Sequence, residues 1–200
     1  MAGHFLPFTP NGKATELKAI AVKERLGLGP DDCVDPVAVL PSVPARLVET
    51  DTISRLLPGA ADVLFRSNRD DWSAVGLFRS PATKEWLILL NPTHHRHRQR
   101  VSLMEEEVHI ILDHPRTELR FDNSRWMRPY HSDAEDEAYN VGAACVLPYR
   151  MLFNAVHARH ESAASIAGQF DVSEAYVTYR IRRAGLVRVY SKHHRLAARR

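Results

Sequence analysis

Apolar residues recur at helical spacing through Ala14–Leu26 (ATELKAIAVKERL) and stop at Gly27, which predicts a helix of about three turns. The next stretch, GLGPDDCVDP, is rich in turn formers. A short helix is expected after it, kept short by Pro41 and Pro44, and then a strand at Ala45–Glu49. Two apolar and aromatic runs, AVGLFRS and EWLILLNP, flank the turn PATK and predict a pair of antiparallel strands. THHRHRQR reads as a polar, basic connection, and a helix is expected from about Val101 to Leu112. HPRTELRFDNSRWMRPYHS has no clean period and reads as a loop. DAEDEAYNVGAACVLP predicts a helix that Asp133 can cap, with acids in its first turn and Pro148 at its end. Near the C-terminus, Ala163–Phe170, a turn at Asp171–Val172 and a helix capped by Ser173 and ending at Gly185 have helix–turn–helix spacing.

Composition narrows the class. The chain has 200 residues, 44% hydrophobic and 26% charged, enough for one ordinary core with a small appendage. The expected division is residues 1–150 and a helical segment, 151–200, with a basic tail. No apolar run approaches the roughly 20 residues that span a bilayer. The N-terminal segment lacks a basic region followed by a long apolar one, so no secretion signal is read there. Cys33 and Cys145 make no disulfide framework and read as free thiols of a reducing compartment, with the cytoplasm as the expected location. Charge is uneven: residues 150–200 hold 10 Lys and Arg against 3 Asp and Glu, whereas residues 1–149 hold 17 against 21. The C-terminal quarter is therefore the part suited to a polyanion; a solvated basic tail explains the same surplus.

One stretch carries candidate chemistry. VSLMEEEVHIILDH differs by one letter from H-E-x-x-H, the helical motif in which two histidines one turn apart bind zinc and the glutamate acts as base. His109 holds the second histidine position, Glu106 the glutamate, and Glu105 the place of the first histidine. Residues four apart share a helix face, so Glu105 and His109 are neighbours. The spacing alone is equally met by a solvated acidic face with one ordinary histidine.

The surrounding motifs add to this. A strand ending in LLNP leads into RQRVSLMEEEVHIILDH; EDEAYNVGAACVLP follows, then SIAGQFDVSEAYVTYRIRRAGL. In this order and spacing the chain resembles the ImmA/IrrE family of metallo-endopeptidases over roughly Ala14 to Leu186. Members show a strand ending I-N-P, an arginine-rich lead, an H-E-x-x-H helix ending L-x-x-H, and a helix of the form E-x-E-A-x-x-F-A-A-x-L-L-x-P. The resemblance implies an α+β fold: a zincin-like core of helices around a small antiparallel sheet, with a helix-turn-helix-like segment behind it. It implies a metal held by His109, by the residue at position 105 and by Glu135, with Glu137 as the second choice. Glu106 would be the general base. Glu135 and Glu137 also suit a plain helix N-terminus, where acids complement the dipole.

Glu105 departs from the family pattern. A carboxylate binds zinc at about 2.0–2.2 Å, much as imidazole does, so the metal can be retained. Two carboxylates and one neutral histidine offset a divalent charge, which weakens the acidification of water and slows hydrolysis. Oxygen-rich ligation also favours Mn2+ or Fe2+ beside Zn2+. If Glu105 points away, two ligands remain and metal binds weakly or is absent. The implied substrate is a regulatory protein such as a transcriptional repressor, cut at a limited site, with Tyr139 or His131 as assisting groups. The other reading is a degenerate copy that binds a protein partner, or weakly binds DNA through residues 151–200.

Overall fold

The computed structural model describes residues 5–56, 58–67, 70–80, 82–115, 120–122, 125–127 and 132–195. His131 lies outside them. Helix α1 (Pro10–Arg25) begins one turn earlier than periodicity suggests, because Thr9 accepts the Gly12 N–H at 3.2 Å and Pro10 suits the first turn. The short α2 (Pro36–Val39) is capped by Asp35. Strand β1 (Ala45–Leu47) follows, then α3 (Thr50–Leu56) and α4 (Pro58–Asp62).

Strands β2 (Ala74–Arg79) and β3 (Trp86–Leu90) pair antiparallel, as the two apolar runs predict. β1 joins the other edge of β3 in parallel, so the sheet has the order β1-β3-β2 and is mixed rather than wholly antiparallel. The helical segment between β1 and β2 carries the chain back across the sheet, which a hairpin cannot do. The stretch expected to be loop contains a second, two-stranded ladder, β4 (Arg120–Asp122) with β5 (Arg125–Met127). Strands of three residues are too short to show an alternation.

Helix α5 (Arg96–Ile111) begins five residues before the expected start, within the stretch read as a connection. His95 caps it by accepting the His97 N–H at 3.2 Å. Its first turns are basic, opposing the helix dipole. The compensation comes from outside: Asp171, in left-handed conformation just after the helix Ala163–Phe170, receives Arg96, His97 and Arg100. The Asn91–Pro92 step is fixed by Gln99, which donates to Asn91 O at 3.0 Å and His94 O at 2.9 Å. These bonds lock the approach of β3 to α5.

α5 is central rather than superficial. Leu103 packs on the sheet with Val43, Ala45 and Ile88, while Met104 and Val108 pack toward α1 and α6 (Ser132–Val146). Asp133 lies inside the first turn of α6, so it complements the dipole there instead of capping. Gly142 allows α6 to approach α5: a β-carbon there would lie 3.3 Å from Met104 Cγ and 3.5 Å from the Glu105 N. α7 (Tyr149–Phe153), α8 (Ala163–Phe170), α9 (Glu174–Arg183) and α10 (Val187–Tyr190) complete the chain. Ser173 caps α9 and Gly185 takes φ 74°, as the capping chemistry predicts. Buried residues of α8 to α10, among them Ile166, Val177 and Tyr190, belong to the same apolar cluster as those of α1, α5 and α6.

Glu107 is a cost within this core. It is fully buried, and neither carboxyl oxygen has a hydrogen-bond partner. Burial, with Asp35 adding, pushes its carboxyl up from 4.5 to about 8. The folded state thus holds a proton that the unfolded state releases, so this residue's penalty is absent below about 4.5 and grows until pH nears 8. Glu107→Gln should therefore stabilise the protein at neutral pH and leave it unchanged below pH 4.5, as urea unfolding at the two pH values can check. Equal stabilisation at both would contradict a protonated buried carboxyl.

Candidate metal centre

Glu105 and His109 stand one turn apart on α5, and Glu135 faces them from the first turn of α6. Each offers one ligand atom, and these atoms all lie within 4.8 Å of one another. His109 Nε2 is 3.4 Å from Glu135 Oε2. That is long for a charge-assisted hydrogen bond, normally about 2.7–2.9 Å. It equals the spacing of two ligands each about 2.1 Å from a tetrahedral ion, about 3.4 Å. One imidazole and two carboxylates form a donor set suited to a divalent cation, and their net charge offsets it. Glu106 is buried beside them, at the i, i+3 position to His109.

The surrounding hydrogen bonds favour the same use of His109. Its Nδ1 lies 3.1 Å from His114 Nδ1, and His114 Nε2 lies 3.1 Å from Glu137 Oε2. With Nε2 of His109 a bare donor to a cation, its Nδ1 carries the proton and donates to His114, which in turn donates to Glu137. Burial, then the neighbouring His109 and Lys18, lower the His114 pKa, in keeping with the neutral ring this chain of bonds requires. Glu137 also pairs with Lys18. It therefore supports the histidine pair instead of joining the three-residue group. Sequence spacing marks His114 only as the end of the helix, which its Asp113 neighbour at φ 55° also marks.

An outer partner that fixes a ligand's tautomer commonly contributes tenfold to a hundredfold in metal affinity. His114→Ala should weaken metal binding by about that factor, read by competition against a chromophoric chelator. An unchanged affinity would mean that His109 needs no such orientation.

Two of the three histidines of THHRHRQR do other work: His95 caps α5, and His97 pairs with Asp171 at 3.1 Å. Among the described residues only the Glu105, His109 and Glu135 group meets the spacing of a three-ligand metal site. Cys145 is no candidate nucleophile, since burial pushes its thiol up to about 12.

A cavity of about 540 Å³ opens beside Glu105 and is lined by Arg98, Ser102, Tyr139, the α9 cap Ser173 and, from α9, Tyr176. Tyr139 stands one turn beyond Glu135 on α6. Burial, with the Glu105 carboxylate adding, raises its pKa, so the hydroxyl stays protonated and can donate.

A family model described as Peptidase_M78, IrrE N-terminal-like domain, matches residues 59–182. The chain belongs to this family. Its zincin-like fold and the metal-capable group make the chain a metal-dependent, peptidase-like protein. A comparison with curated proteins finds no match. The matched span includes β2, β3, α5 and α6, and it extends through α8 into α9. In this M78 member the position of the first motif histidine is Glu105, and the substitution keeps a donor in the group. Glu105→His should tighten zinc and raise any peptidase activity about tenfold, the scale of one pKa unit in the bound water's acidity. An unchanged zinc affinity would mean that residue 105 takes no part in binding.

Three side chains of α9, Tyr176, Thr178 and Arg180, are internal. Tyr176 donates from its hydroxyl to Ala143 O at 3.1 Å, Thr178 is buried, and Arg180 is enclosed with Glu16. No helix of the described residues is long and apolar enough to cross a membrane.

Proposed function

We propose that this protein is a metal-dependent endopeptidase with a carboxylate-rich centre, acting at a limited site on a regulatory protein such as a transcriptional repressor. The observation that carries the reading is the convergence of Glu105, His109 and Glu135 from two facing helices beside an open cavity. Glu105, His109 and Glu135 would hold the ion, with Zn2+ the first candidate and Mn2+ or Fe2+ favoured more than in a two-histidine site. A divalent ion there would supply Lewis-acid polarisation of the peptide carbonyl and acidify water. Glu106 takes the proton from the attacking water and passes it to the leaving amine. Tyr139 donates its hydroxyl toward the oxygen that gains charge.

A general base contributes typically about 10²–10⁴ in rate. The test is turnover of a quenched fluorescent peptide mixture by zinc- or manganese-loaded protein and by Glu106→Gln. Slow turnover that falls by that factor in the variant supports the reading. Equal turnover in both would assign the activity elsewhere, and its absence in wild type and in Glu105→His would remove catalysis altogether. The competing reading, a non-catalytic regulator that contacts DNA through residues 151–200, draws on the basic surplus there. With Tyr176, Thr178 and Arg180 buried, that reading rests on phosphate contacts by exposed basic side chains, which weaken steeply with salt.

A further inference from the structure

Arg98, Ser102 and Glu105 form one stripe of α5, at i, i+4 and i+7. All three line the cavity beside the candidate metal centre. Arg98 is exposed at its surface, and its Nε donates to Ser73 Oγ at 2.9 Å. That bond fixes the guanidinium while the terminal nitrogens remain for a ligand; they have no described partner within the protein. The other basic groups of the α5 N-terminus are committed differently, Arg96 and Arg100 to Asp171. Across the cavity stands the N-terminal end of α9, whose dipole has the same sign. A divalent ion held by Glu105 and Glu135 would offset their charge. The fixed charge left facing the cavity is then that of Arg98.

Seven helical residues separate Arg98 from Glu105, a rise of about 10.5 Å. An extended peptide covers that distance in about three residues. Guanidinium recognises carboxylate through paired, directional hydrogen bonds. We propose that Arg98 is a specificity-determining residue that binds a carboxylate of the substrate chain about three residues from the scissile bond, supplied by an acidic side chain or by the chain's C-terminus. The proposal rests on the peptidase reading for the word scissile, but the recognition itself is a binding event.

The test separates the two. Zinc-loaded Glu106→Gln protein is immobilised and offered a random peptide mixture, half with free and half with amidated C-termini, and retained peptides are identified by mass spectrometry. The expected result is about tenfold enrichment of carboxylate-bearing peptides, the scale of one charge-assisted hydrogen bond. Adding Arg98→Gln should flatten the preference, and Arg98→Glu should turn it toward Lys and Arg. Enrichment confined to free C-termini identifies the terminal carboxylate; enrichment in both halves identifies the side chain. No retention, or an acidic preference that survives Arg98→Glu, overturns the proposal. Acid-biased retention without any hydrolysis by wild type would instead overturn the peptidase reading and leave this one standing. Hydrolysis with no acidic preference would do the reverse.

Discussion

His109→Ala is expected to reduce tightly bound divalent metal from stoichiometric to background. His109 is the one imidazole of the group, and it is buried where its Nε2 faces Glu135. Removing it leaves Glu105 and Glu135, two like charges brought together by facing helices. Two carboxylates on separate helices are a weak site for zinc and lose the nitrogen donor that favours it. The relay from Glu137 through His114 would also end on nothing. Elemental analysis after gel filtration, with circular dichroism to confirm folding, reads the outcome. Retention of full metal by His109→Ala, with loss on His94→Ala or His97→Ala, would place the site in the basic lead of α5 instead.

Arg180→Ala is expected to destabilise the fold by about 3–5 kcal/mol, the range for breaking a buried ion pair from one side. Arg180 and Glu16 are 2% and 4% exposed, and their pair joins α9 to α1. Arg180 also donates to Leu147 O, from Nε at 3.1 Å and Nη2 at 2.9 Å, tying down the end of α6. The alanine variant leaves Glu16 charged in the core and the Leu147 carbonyl unsatisfied. Pairing Arg180→Met with Glu16→Leu should recover part of the loss, since no unpaired charge remains. Recovery should stay partial, because the Tyr149 N–H donates to Glu16 Oε2 at 3.2 Å. Urea unfolding of the three proteins provides the comparison. A loss under about 1 kcal/mol would mean the pair is screened as a surface bridge is.

These two residues also show what sequence reasoning reaches. Glu105 and His109 are related by local spacing, so their shared face follows from helix geometry alone. Whether Glu135 or Glu137 faces them is not local. Residues two apart on a helix project about 200° from each other, so only one can point at α5, and the packing of α6 on α5 selects Glu135. Glu137 is turned toward Lys18 and His114. Arg180 lies in the basic run RIRR, and its partner is 164 residues away. No local pattern carries such a pairing. The ends of α8 and α9 were legible because capping is a short-range hydrogen bond. The start of α5 was not, because its cap is a histidine and its counter-charge is Asp171 from another part of the chain. The parallel edge strand β1 depends on the course of the chain between β1 and β2, which composition does not encode.

The central claim is that Glu105, His109 and Glu135 together hold one divalent ion. Anomalous diffraction at the absorption edge of the metal, on crystals of the metal-loaded protein, tests it most directly. A single strong peak about 2 Å from one donor atom of each of the three residues is the predicted result. A stoichiometric ion bound elsewhere, or a peak held by His109 with Glu105 turned away from it, would contradict the account.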